Sequence, residues 1–167
     1  MTRAPESGDR EPDEHIRFAA HLVRLEQAVE ADEADMVGHV LGDPDRTMAQ
    51  SAVLRHVDRR AEDLHLGPAY EAWAQAMAQV VGGRPFLIRR LEEWSLLRAI
   101  RLGLPWLPDD LLVASNWLQL KTAATSGTAV GSGTAAFEVL AEGGRTRRIR
   151  NTAAGSLKLG QVRGRRC

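Results

Sequence analysis

Four joins rich in glycine and proline divide this chain, and they constrain its fold more than any other feature. They are Gly42-Asp43-Pro44-Asp45, Gly67-Pro68, Gly82-Gly83-Arg84-Pro85 and Gly103-Leu104-Pro105. Glycine suits the position just past a helix end, and proline suits the first turn of the next helix because its missing N–H has no partner there. Gly42 fits a left-handed position, Asp43 a cap and Pro44 a first turn.

Between the joins, apolar residues recur at steps of three, four or seven, the spacing of one helix face. The first stripe is Phe18, Leu22, Leu25, Val29, Met36 and Val40, with Asp32 at the missing slot, on one helix or two joined near residues 31–35. Later stripes are Val53, Val57 and Leu64; Tyr70, Trp73, Met77 and Val81; Leu87, Leu91, Trp94 and Leu97; and Leu111, Ala114 and Leu118. Pro108-Asp109-Asp110 opens its segment with proline and two acids, the order that complements a helix dipole. No stretch alternates with period two. The spacing predicts an all-α fold of six or seven helices, with short joins setting neighbours antiparallel as αα-hairpins in a compact bundle or short helical array.

At 167 residues the chain is long enough for a substantial core. Residues 14–158 read as one helical domain. Residues 1–13 read as a disordered polar arm, residues 125–134 (TSGTAVGSGT) as a flexible loop, and residues 159–167 as a mobile basic tail. The octet at 40–47 and that at 139–146 share the pattern V-L-x-acid-x-x-R-T, each at a helix–turn–helix junction. The Gly42–Arg46 junction resembles the turn of HEAT-type helical repeats over about one hairpin. The joins at 42, 67, 82 and 103 keep no fixed period, so no family is assigned.

The chain holds 22 basic and 22 acidic residues, yet the charge is polarised. Residues 1–110 carry −7 and residues 111–167 carry +7, with no acid after Glu142. Such asymmetry bears on partners. Residues 1–14 contain no apolar stretch suited to a signal peptide, and the apolar run at 111–120 is about half the length a bilayer demands. A cytoplasmic protein without membrane contact is the expectation.

Catalytic patterns are scarce. Glu62 and His65 make one E-x-x-H pair, but a di-iron bundle needs a second, and His39 and His56 follow Met36 and Val53 by three instead. His15 and His21 complete the histidines, and core hydrogen bonding or solvent suits all five better than a metal. No G-x-S-x-G elbow is present, and the single cysteine, Cys167, is terminal. The glycines at 127–133 lack the Lys-Ser/Thr of a phosphate loop. No catalytic residue, metal site or cofactor is expected.

Two surfaces remain. Trp94, Trp106 and Trp117 crowd a stretch with Leu96, Leu97, Ile100, Leu102, Leu104 and Leu107, more apolar circumference than one stripe requires. Either this is a central helix buried on several sides or part of it is exposed for a partner, with the three tryptophans as anchors. The second surface is basic: Arg145, Arg147, Arg148, Arg150, Lys158, Arg163, Arg165 and Arg166. There, Ile149 and Ala153 are expected to pack on Phe137 and Leu140, leaving Arg147 and Arg150 for solvent or phosphate. The expected function is a non-enzymatic helical interaction module with a protein partner. The alternative is a small nucleic-acid-binding regulator that contacts phosphates at low salt through the arginine-rich end.

Overall fold

A computed structural model describes residues 10–125 and 132–164 of the chain. Most of the polar arm, the middle of the glycine-rich segment, Arg165, Arg166 and Cys167 lie outside the described residues. The fold is all-α. Among the described residues there are nine α-helices: α1 Arg10–Gln27, α2 Glu33–Leu41, α3 Arg46–Leu64, α4 Tyr70–Val80, α5 Pro85–Leu102, α6 Pro108–Val113, α7 Asn116–Ala124, α8 Ser132–Gly143 and α9 Arg147–Gly164. A 3-10 turn, Glu30–Asp32, precedes α2. None of the described helices is long and apolar enough to cross a membrane.

The helices outnumber the six or seven that the stripes predict, because the first stripe takes its two-helix alternative and the stretch from Leu111 to Leu118 is divided. The first splits after Gln27, and Val29, placed on the inward stripe by spacing, is 63% exposed. The second splits at Ser115, whose hydroxyl accepts from the Leu118 amide and starts a new helix. At the ends, α1 begins at Arg10 and α9 runs to Gly164, inside segments whose composition reads as arm and tail.

Contacts within the chain cluster into two units: residues 1–64 with 68–91, and residues 65–67 with 92–167. Helix α5 contributes its first seven residues to one and the remainder to the other. In the first unit α3 packs on α1 and α2, and α2 on α4. Val40, Val53 and Val57, and Tyr70 and Met77 are buried there on the stripes read from spacing, whereas Val37, which the first stripe passes over in favour of half-buried Met36, is fully buried. The α2–α3 join departs from the simple reading. Gly42 has φ −79°, so it is not left-handed, and the cap of α3 is Asp45, whose carboxylate accepts from the Met48 amide at 3.0 Å. Asp43 instead accepts from the Asp45 amide at 2.8 Å and from His21 Nε2 at 2.9 Å, which pins α1 to the join.

In the second unit α8 and α9 pack on each other and both contact α7, while α6 sits on α8. Leu111, Leu118, Leu140, Ile149 and Ala153 are each 2% exposed or less. The Gln119 carboxamide organises the break between α6 and α7. Fully buried, it donates to the Leu111 and Leu112 carbonyls at 2.9 Å and accepts the Arg145 amide at 2.9 Å, so one side chain serves two helix ends.

Candidate functional site

The first cluster of titratable groups lies in the first unit. Glu33 opens α2, and three residues donate four hydrogen bonds to its carboxylate. His56 Nε2 donates to Oε1 at 2.8 Å, Arg60 donates from Nε to Oε1 and from Nη2 to Oε2 at 3.0 Å, and the Trp73 indole donates to Oε1 at 3.0 Å. His56 and Arg60 are one turn apart on α3 and Trp73 is on α4, so the carboxylate joins three helices. Arg59 Nη2 lies 3.4 Å from His56 Nδ1, so that nitrogen accepts and Nε2 carries the proton toward Glu33. Burial by itself pushes the Glu33 carboxyl up; the bonds from His56, Arg60 and Trp73, with the Arg60 charge, outweigh it and bring it from 4.5 to about 2. With four hydrogen bonds already accepted, this group is suited to holding helices together rather than to proton transfer.

A shallow polar groove of about 620 Å³ lies nearby in sequence, between the α2–α3 and α4–α5 joins, with Asp43, Arg46, Gln50 and Arg84 on its walls. Its charged groups are largely committed inward: Arg84 donates to the Leu41 and Gly82 carbonyls, and the bond from His21 holds Asp43 below the usual carboxylate range, helped by the Asp45 amide. Among the described residues, no group of three or more His, Cys, Asp and Glu stands close enough to hold a metal.

The tryptophan-rich stretch separates into core and surface. Trp94 is 1% exposed, its ring edge-on to Trp117 at 5.3 Å and tilted against His65 at 5.3 Å. Lys121 Nζ sits 4.9 Å from the Trp94 ring centre. Trp94 is therefore a core residue and is not offered to a partner, while Trp106 and Trp117 are half-buried. The exposed apolar surface is carried by residues that follow. Gly103, at φ 69°, ends α5 in the left-handed conformation, and the Leu104 amide reaches back to the Ala99 carbonyl at 2.9 Å. This closure turns the chain outward and leaves Leu102 and Leu104 at 41% and 42% exposure, then Leu107 and Val113 at 64%. Behind them, buried Glu93 accepts the Ser115 amide at 2.7 Å and fixes the start of α7.

The basic positions also divide. Arg145, Arg147, Arg148 and Lys158 are exposed. Arg150 is not free as the spacing predicts: its guanidinium donates to the Gly144 carbonyl at 2.6 Å, satisfying a carbonyl left open past the end of α8. Arg163 lies in the last turn of α9. Thr146 caps α9 by accepting the Ile149 amide at 3.2 Å, and Ile149, Ala153, Phe137 and Leu140 are buried as expected.

Spacing alone gives no sign of the Glu33 cluster. It assigns the break in the first stripe to Asp32, which is exposed, whereas the next residue is 3% exposed. The available signal is the polar pair His56 and Arg60 on the inward side of α3, beside Val53 and Val57, where an acceptor must come from elsewhere. Compared with protein-family models, with curated proteins and with solved structures, the chain matches none.

Proposed function

We propose that this chain is a non-enzymatic helical interaction module that binds a protein partner, in the cytoplasm, through the apolar segment joining α5 to α6. The observation that carries the reading is the exposure of Leu102, Leu104 and Leu107, which flank half-buried Trp106 along the chain where Gly103 turns it out of α5. Apolar side chains grouped this way lose water on docking, and an aromatic ring part-sheltered among them is the usual energetic anchor. The Glu33 and Gln119 clusters support the reading from the other side, because their polar atoms are occupied with internal hydrogen bonds.

The test is affinity capture with the wild-type chain and with L104D/L107D, both checked for helical content. A partner retained by the first and lost by the second is the expected result. An identical captured set would remove this surface from the reading. A second reading, phosphate binding by the basic end, is favoured by the exposure of Arg147, Arg148 and Lys158 along α9. It requires coelution with nucleic acid at low salt and release at high salt.

A further inference from the structure

Two surfaces of this molecule carry opposite charge and the same kind of exposed apolar side chain. On α9, Arg147, Arg148, Asn151, Lys158, Leu159 and Val162 are exposed, and at about 100° per residue they fall within one sector of the helix. Leu159 and Val162 are 66% and 58% exposed, while Ile149 and Ala153 face inward at 2% and 0%. In the first unit, Glu26, Glu30, Asp32 and Asp35 are exposed where α1 gives way to α2. Val23 and Val29, in the same stretch of chain, are 49% and 63% exposed. Arg24 is turned about 100° from Val23, on the flank of α1.

We propose that α9 of one chain docks on the α1–α2 turn of a second copy. Arg147, Arg148 and Lys158 meet Glu26, Asp32 and Asp35, and Leu159 and Val162 cover Val23 and Val29. Charge complementarity argues for this occupant: the chain is −7 over residues 1–110 and +7 over residues 111–167, and its net charge of zero leaves no overall repulsion against association. A nucleic acid would neutralise the arginines but set Leu159 and Val162 against a phosphate backbone. The acidic surface of a second copy supplies both acids and apolar side chains. The two patches differ, so the contact is heterologous and copies add head to tail. Each exposed ion pair is weak and screened by salt, so assembly depends on concentration and ionic strength.

Sedimentation of the nuclease-treated full chain over a concentration series, in about 50 mM and about 500 mM salt, reads the association. The mass is expected to rise with concentration at low salt, and high salt is expected to weaken association at least about tenfold. R147E/R148E and E26K/D32K should each be monomeric alone, and an equimolar mixture should associate, because each reversed patch finds its opposite on the other chain. Glu30 is left intact because its charge also acts on Arg60. Should a reversed chain misfold, R147Q/R148Q reads the same contact, with association reduced at least about tenfold. A monomeric wild type at low salt overturns the proposal, as does undiminished association of R147Q/R148Q. Association seen only in a sample left without nuclease overturns it as well and assigns α9 to nucleic acid.

Discussion

His56 Nε2 lies 2.8 Å from Glu33 Oε1, with the two side chains 2% and 3% exposed. Twenty-three residues separate them in sequence, so the contact ties the start of α2 to the middle of α3. Arg60 and the Trp73 indole complete the arrangement around the same carboxylate.

Removing that carboxylate leaves the Arg60 charge and the Trp73 N–H without their partner. Breaking a buried pair on one side typically costs about 3–5 kcal/mol. Glu33→Ala is therefore expected to lower the unfolding free energy by about that much in urea titration, with a changed tryptophan emission from Trp73. A loss below about 1 kcal/mol would show that the cluster is solvated and weak.

Acid should act on the same group. The folded Glu33 carboxyl titrates at about 2 against an ordinary 4.5, so its stabilisation is complete above 4.5 and is lost as pH falls through 2. Asp43 is shifted in the same direction, so wild type must be compared with Glu33→Gln rather than read alone. The stability gap between the two is expected to narrow from pH 4.5 to 2. A constant gap across that range would place the carboxyl at its ordinary value.

Two glycines in the last hairpin should respond oppositely to alanine. A Cβ on Gly144 would meet the Leu140 carbonyl oxygen at 2.5 Å and Ile149 Cγ2 at 2.8 Å, both held in the packed join of α8 and α9. Gly155 lies within α9 with open space around it. Gly144→Ala should cost about 1–3 kcal/mol through overpacking, and Gly155→Ala should gain about 0.5–1 kcal/mol through helix propensity. Thermal melts of both variants check the signs; matching signs would contradict the geometry of the join.

Much of the helical framework was legible because its causes are local. The stripes Tyr70–Trp73–Met77–Val81 and Leu87–Leu91–Trp94–Leu97 are buried throughout, although the left-handed glycines among the described residues are Gly83 and Gly103 rather than Gly42, which the sequence suggests for that position. The same reasoning misplaced Val29, because periodicity cannot tell whether a stripe continues through a break. It merged α6 with α7, because Leu111, Ala114 and Leu118 are all buried and keep helical spacing across the break, which hides the cap that the Ser115 hydroxyl makes to the Leu118 amide.

The sequence by itself determined that the chain is helical, which joins divide it and which face of most helices is apolar, since spacing, glycine and proline act within a few residues of one another. Tertiary structure alone decided what the polar groups do. Glu33 entered the core while Asp32 stayed outside; Gln119 closed a gap 26 residues away at Arg145; Arg150 turned back to the Gly144 carbonyl; and Trp94 was buried while Leu104 and Leu107 were exposed. A buried polar atom must find a partner or lose the free energy of its solvation, and for Glu33 and Gln119 those partners come from distant parts of the chain that only the packed helices bring within 3 Å.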